Sequence, residues 1–169
     1  GPWDYNKNKD KINEVLSNRV KENCAYENVY TLALRGLHDA AMGGGDVPMR
    51  EKVKMLESAL NAQREIIARH IDKPQAFTPY KEVLEIYSNG LELPDDVTII
   101  WADDNFGYMK RLSGPQGQKR SGRAGVYYHI SYLGVPHSYL WYSTTPPALM
   151  YEELRKAYDT TADRVWLAN

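Results

Sequence analysis

The amino-acid sequence predicts an α/β fold built from parallel βα units. Short apolar runs alternate with amphipathic helical segments, the order expected when helices cover a parallel sheet. The clearest strand covers residues 96–101 (DVTIIW), because branched side chains pack well on a pleated surface. Polar residues directly follow several of these strands, and open α/β sheets and barrels bind their ligands at such strand ends.

The individual elements follow from the two hydrophobic periodicities and from turn residues. A helix is predicted to begin at Pro146-Pro147, since proline is favoured in a first turn. Residues 105–112 are expected to form a helical turn, and the basic residues 113–124 (SGPQGQKRSGRA) a solvated loop. The other predicted helices cover residues 9–25, 49–71 and 83–91, and the strands cover residues 28–34, 76–78, 96–101, 126–132, 139–143 and 164–169.

The length of the chain limits how these units can close. The chain has 169 residues, whereas a complete (β/α)8 TIM-type barrel needs about 250. Either the chain is a smaller open α/β sheet or it is part of a barrel that lacks its beginning and end. The last predicted strand stops at Asn169 without a following loop or helix, which favours the second alternative. We therefore expect residues 1–169 to be a single segment of an incomplete barrel.

Composition excludes several classes of function. The net charge of −1 and a pI near 6.5 give no overall field that would attract nucleic acid or an anionic membrane. No run of about 18 apolar residues and no signal peptide is recognisable, so a soluble segment is predicted. The single Cys24 excludes an internal disulfide and is expected to be a buried, inert thiol.

Residues with charged or hydrogen-bonding side chains recur where the predicted strands end. Catalytic residues of (β/α)8 barrels come from the ends of several different strands, so this regular placement predicts a shared site on one rim. The candidate residues are Arg35, Asp39, Glu82, Asp103, Asn105, His129, Tyr132 and Asn169.

Three carboxyl groups beside an arginine, with no nucleophilic Ser or Cys motif, favour glycoside hydrolysis. That reaction needs one protonated carboxylic acid and one carboxylate that activates water. Arg35 would either clamp a substrate carboxylate or hold Asp39 ionised. The structural alternatives are an Arg35–Asp39 ion pair, a first-turn acid at Glu82 and a core histidine at His129.

Two other functional classes stay open at this stage. A metal site built from Asp103, Asp104, His38 and His129 lacks the tight His/Cys spacing of metal centres, so we predict no metal. The chain also has 13 Tyr and 4 Trp, whose rings could stack on sugars in a noncatalytic carbohydrate-binding module.

Four runs of the sequence carry a family likeness: LALRGLHDAAM, WADDNFGYMKRL, GVYYHISYLGVPHSYLW and STTPPALMYEELRKAY. They resemble glycoside hydrolase family 115, the xylan α-1,2-glucuronidases. The resemblance implies a barrel domain within a large, multidomain, dimeric parent that is periplasmic or secreted. It also implies an inverting hydrolase without a cofactor, which removes glucuronic acid or its 4-O-methyl ether from glucuronoxylan or aldouronic acid oligosaccharides.

The resemblance also assigns roles to the candidate residues. Glu82 matches the proposed general acid, and Asp39 and Asp103 match essential carboxylates, either of which could position or activate water. Inversion would place the acid and base carboxyls roughly 6.5–9.5 Å apart. Acidic and His residues that the family uses upstream are absent here, which leaves the isolated chain's own activity open. Residues that the family places around the sugar correspond to Arg35, Asn105, His129, Tyr132 and Asn169.

Overall fold

The computed structural model describes residues 4–36, 40–42, 47–104, 106–130, 143 and 145–168, the last through its backbone. The chain divides into two compact units. The first unit comprises Gly1–Phe77 and Lys81–Leu93, and the second comprises Thr78–Tyr80 and Pro94–Asn169.

The described residues of the first unit form two parallel strands and three helices. Strand β1 (Tyr30–Leu32) pairs with β2 (Gln75–Phe77), with Tyr30 beside Gln75 and Leu32 beside Phe77. Asp4 caps the first helix because its side chain accepts a hydrogen bond from the Asn6 N–H at 3.1 Å. In chain order the elements are α1 (Tyr5–Asn23), β1 (Tyr30–Leu32), α2 (Met49–Ala68), β2 (Gln75–Phe77) and α3 (Glu82–Ser88).

Helix α2 supplies much of the core of the first unit. Its apolar residues recur at helical spacing, so Leu56, Leu60 and Ile67 are all buried on one face. Gln63 lies on the same face, and its side-chain amide bonds the backbone of Ala33 in both directions, at 3.0 and 2.6 Å. This side chain satisfies the backbone just beyond β1, where the sequence had predicted that the strand continued to residue 34.

The described residues of the second unit form three parallel strands and one long helix. Strand β3 (Thr98–Ala102) pairs with β4 (Ala124–His129), and β4 pairs with β5 (Ala162–Ala168), both in parallel. Every residue of β3 is buried, which explains its nearly continuous apolar sequence. The elements are β3 (Thr98–Ala102), a 3-10 helix (Gly117–Lys119), β4 (Ala124–His129), α4 (Pro147–Asp159) and β5 (Ala162–Ala168).

The predicted α/β class, with parallel strands alternating with helices, is confirmed. The start of α4 at the prolines is confirmed as well. The helical turn predicted over residues 105–112 is wrong for the described residues 106–112, since Asp103 instead forms an antiparallel bridge with Met109. Cys24 is only partly buried, and its thiol donates to the Lys21 carbonyl at 3.2 Å.

The strand predicted at residues 139–143 falls largely outside the described residues, as does the end of the strand predicted at 126–132. Among the helices of the described residues, none has the length and apolar character needed to cross a membrane.

Candidate functional site

A buried carboxylate–imidazole pair stands at the carboxyl ends of β3 and β4. Asp103 directly follows β3 and His129 ends β4, and their side chains are 0% and 6% exposed. His129 Nδ1 contacts Asp103 Oδ1. An ionised carboxylate can only accept, so Nδ1 carries the proton and donates it. The contact therefore fixes both the orientation of the imidazole ring and its protonated nitrogen.

Two tyrosine rings pack around this histidine. The Tyr127 ring meets the His129 ring edge-on, with centroids 5.0 Å apart, and the Tyr80 ring lies at 6.2 Å in a tilted arrangement. Neither tyrosine was among the sequence candidates. Strand alternation could have found Tyr127, since residues two apart on a strand share a face.

The second oxygen of Asp103 is buried and accepts no hydrogen bond from the described residues. Leaving a buried acceptor unpaired costs free energy, so such groups are rare in folded proteins. Among the described residues, Asp103 therefore has one oxygen paired with His129 and a second without a donor.

The loop after Asp103 is shaped by the side chain of Asp104. Its Oδ1 accepts hydrogen bonds from the backbone N–H groups of Phe106, at 2.9 Å, and Tyr108, at 3.1 Å. The Asp104 N–H in turn donates to the Tyr108 carbonyl at 2.9 Å. Gly107 lies at the centre of this turn with φ +93°, a conformation that glycine adopts without strain. Asp104 is therefore a turn-forming residue.

Two buried side chains form hydrogen bonds with the backbone of the same loop. The Tyr128 hydroxyl donates to the Gly107 carbonyl at 2.9 Å, and Glu153 of α4 accepts from the Met109 N–H at 3.0 Å. Burial raises the pKa of the Tyr128 hydroxyl to about 12, with further contributions from the charges of nearby carboxylates, Asp103 first among them. Lys156 completes the arrangement by donating to the other Glu153 oxygen at 2.6 Å.

The first unit carries a second pair of charged side chains, Arg35 and Glu82. The guanidinium donates through Nε to Oε1 at 3.1 Å and through Nη2 to Oε2 at 3.0 Å. Both side chains are 23% exposed. Two parallel bonds of this kind suit an ionised carboxylate and fix the geometry of both partners. Asp39, which the sequence offered as a partner of Arg35, lies outside the described residues.

The backbone is strained immediately before Glu82. Lys81, the residue that precedes α3, has φ 52° and ψ −127°, a conformation rarely adopted by residues with a side chain. Such strain costs on the order of 1–3 kcal/mol and persists only where the surrounding structure imposes it, as at many ligand sites. The position of Glu82 is therefore set by an unfavourable local conformation as well as by Arg35.

Comparison with known proteins identifies the family. The sequence model described as glycosyl hydrolase family 115 matches residues 1–169. The chain belongs to glycosyl hydrolase family 115. A solved structure of BtGH115A, a family GH115 4-O-methyl-α-glucuronidase with specificity for decorated arabinogalactans, is 40% identical with a TM-score of 0.91. The match covers 100% of this chain but 23% of that one. A comparison with curated proteins gives no match.

Within this family member, the predicted site residues fall into two groups. The structure joins Arg35 with Glu82 and Asp103 with His129. In the part of the chain that the structure describes, no group of three or more His, Cys, Asp or Glu side chains is arranged to hold a metal ion. His38, named above as one metal-ligand candidate, is not among the described residues. The predicted site residues outside the described part are Asp39, Asn105, Tyr132 and Asn169.

Proposed function

We propose that this chain is a segment of the catalytic barrel domain of an inverting α-glucuronidase. The complete enzyme would remove α-1,2-linked glucuronic acid, or its 4-O-methyl ether, from glucuronoxylan without a cofactor. The observation that carries this proposal is the family match over the whole chain, and the 4-O-methyl-α-glucuronidase activity of the 40% identical relative supports it. A dimeric parent that is periplasmic or secreted stays a prediction.

In this proposal Glu82 is the general acid and a second carboxylate is the base that activates water. The sequence left Asp39 and Asp103 as alternatives for the base. Asp103 is buried and one of its oxygens is committed to His129, an arrangement better suited to holding another side chain than to meeting a reacting water. We therefore assign the base to Asp39. The residues proposed to contact the sugar are Arg35, Asn105, His129, Tyr132 and Asn169.

The Arg35–Glu82 pair suggests how substrate binding releases the acid. The Arg35 guanidinium holds both oxygens of Glu82 through two hydrogen bonds. The carboxylate of a bound uronic acid would compete for the same guanidinium. When Arg35 turns to the substrate, the Glu82 carboxyl is released to serve as the general acid at the leaving oxygen.

The role of Glu82 is tested by replacing it with glutamine in the complete enzyme. We expect Glu82→Gln to lower kcat on glucuronoxylan by about 10²–10⁴, because the variant cannot protonate the leaving oxygen. The loss should be far smaller on α-glucuronosyl fluoride, since fluoride departs without a proton. Glu85→Gln, an exposed acid of the same helix, is the matched control and should leave both rates unchanged. Equal losses on both substrates would show that Glu82 does not act as the acid.

Two further measurements determine the stereochemistry of the reaction and the polysaccharide that the enzyme prefers. Inversion predicts that the first product seen by proton NMR is the β-anomer of the released uronic acid. Release of the acid from glucuronoxylan and from uronic-acid-decorated arabinogalactan should be compared, since the relative named above has specificity for the latter. A strong preference for arabinogalactan would overturn the proposed polymer and leave the proposed reaction intact.

A further inference from the structure

Two aromatic rings are exposed on the loop that follows β3. Phe106 and Tyr108 stand on either side of Gly107, and each is 54% exposed. Single exposed apolar residues are common, but two large rings on one short loop are a concentrated apolar surface. They follow Asp103 by a few residues, at the carboxyl end of a parallel strand, where α/β proteins bind ligands.

The loop is built to hold these two residues in place. A single oxygen of Asp104 accepts from the backbone N–H of both Phe106 and Tyr108. The residue between them is fixed too, since the Gly107 carbonyl accepts from Tyr128. A Cβ at Gly107 would lie 2.7 Å from Thr145 Cγ2 and 2.8 Å from the Tyr128 hydroxyl, so the turn packs closely against these two side chains. Rings on a rigid loop lose little further freedom when a ligand binds.

We propose that Phe106 and Tyr108 form a stacking platform for a neutral pyranose of the polysaccharide main chain. The apolar C–H face of a pyranose fits the negative face of an aromatic ring. The charged groups at the loop argue for a neutral sugar, because Lys110 Nζ lies 4.0 Å from Asp104 Oδ2 and offsets that carboxylate. This inference rests on the proposed function and names the subsite that recognises the polymer.

The platform predicts that the two rings matter for polymer and hardly for the smallest substrate. In the complete enzyme, we expect Phe106→Ala and Tyr108→Ala each to lower the ratio of kcat/KM on polysaccharide to kcat/KM on a disaccharide by about fivefold. The change should appear mainly as a higher KM on the polysaccharide. The disaccharide carries the uronic acid on one sugar unit and cannot reach beyond it.

Matched controls are available on helix α4. Tyr151 and Tyr158 are 60% and 71% exposed, and Tyr151→Ala and Tyr158→Ala should leave the substrate ratio unchanged. An unchanged ratio in the loop variants would overturn the platform. A fall in thermal midpoint with equal losses on both substrates would overturn it too, since the rings would then pack against another part of the polypeptide.

Failure of the platform can be told apart from failure of the proposed function. If the unmodified enzyme released no uronic acid from either polymer or from the disaccharide, the proposed function would be wrong. Native gel retardation by the polysaccharides would then test the rings directly, with weaker retardation of the Phe106→Ala and Tyr108→Ala variants expected. Equal retardation of these variants and the unmodified protein would overturn the platform independently of any hydrolysis.

Discussion

The Arg35–Glu82 pair and the Asp103–His129 pair differ in how far they are removed from water. Arg35 and Glu82 are each 23% exposed, whereas the side chains of Asp103 and His129 are 0% and 6% exposed. An ion pair that solvent reaches can exchange one partner for a ligand at modest cost. A buried pair cannot open without leaving a charge or a polar group unpaired in a medium of low dielectric constant. The first pair is therefore suited to a changing partner and the second to a fixed orientation.

The difference extends to the surroundings of each pair. The rings of Tyr80 and Tyr127 pack against His129, and the adjoining loop is bonded to Tyr128 and Glu153. Glu82 instead begins a seven-residue helix after a strained Lys81. Rigid packing and local strain are two different means of positioning a side chain. Only the first contributes to stability.

The largest expected effect comes from breaking the buried pair. Asp103→Ala should lower the free energy of unfolding by about 3 kcal/mol, since it removes one partner and leaves the other buried. Asp103→Asn keeps an acceptor for the Nδ1–H of His129 and should cost about 1 kcal/mol. Urea denaturation monitored by tryptophan fluorescence measures both values. A loss below 1 kcal/mol for Asp103→Ala would mean that the buried Asp103–His129 pair contributes no more to stability than the partly exposed Arg35–Glu82 pair.

A second, smaller effect concerns alkaline pH. The folded state raises the pKa of Tyr128 from 10.0 to about 12, so folding favours the protonated hydroxyl. This contribution is fully present below pH 10 and is lost as the pH rises towards 12. Urea denaturation between pH 8 and 11 should show falling stability above pH 10.

Tyr128→Phe provides the control for the pH effect. It should flatten the alkaline decline and cost about 1 kcal/mol at neutral pH, because the hydrogen bond to the Gly107 carbonyl is lost. An identical decline in the variant and the unmodified protein would assign the pH dependence to another group.

The sequence predicted the elements that depend on residues close together along the chain. Branched residues at β3 and the prolines at the start of α4 predicted those elements, and the sequence placed Asp103 and His129 near strand ends, where the structure has them. The pairing of Arg35 with Glu82 joins residues 47 positions apart, and that of Met109 with Glu153 joins residues 44 apart. No periodicity encodes such contacts, because they depend on how the elements pack.

The prediction of a helical turn after Asp103 was wrong for a different reason. Its composition is compatible with a helical turn, but Asp104 competes for the backbone N–H groups that a helix would use. Gly107, three residues after Asp104, could have signalled a turn instead. The buried Gln63 that closes β1 was likewise missed, because a glutamine on a helix is usually exposed.

The smallest expected effect on stability comes from breaking the partly exposed Arg35–Glu82 pair. Arg35→Ala and Glu82→Gln should each change the free energy of unfolding by no more than about 1 kcal/mol, since water replaces the lost partner at a partly exposed pair. Arg69→Ala, which removes an i,i+4 contact with Glu65 in which both side chains are about 70% exposed, should change it even less.

Urea denaturation of these variants beside Asp103→Ala completes the comparison. A loss above 2 kcal/mol for Glu82→Gln would mean that the Arg35–Glu82 pair is structural, and the release of Arg35 to a substrate would then be too costly for the proposed mechanism. If the stability is preserved, the kcat of the same variant reports the chemistry of Glu82 alone, because the fold around it has not changed.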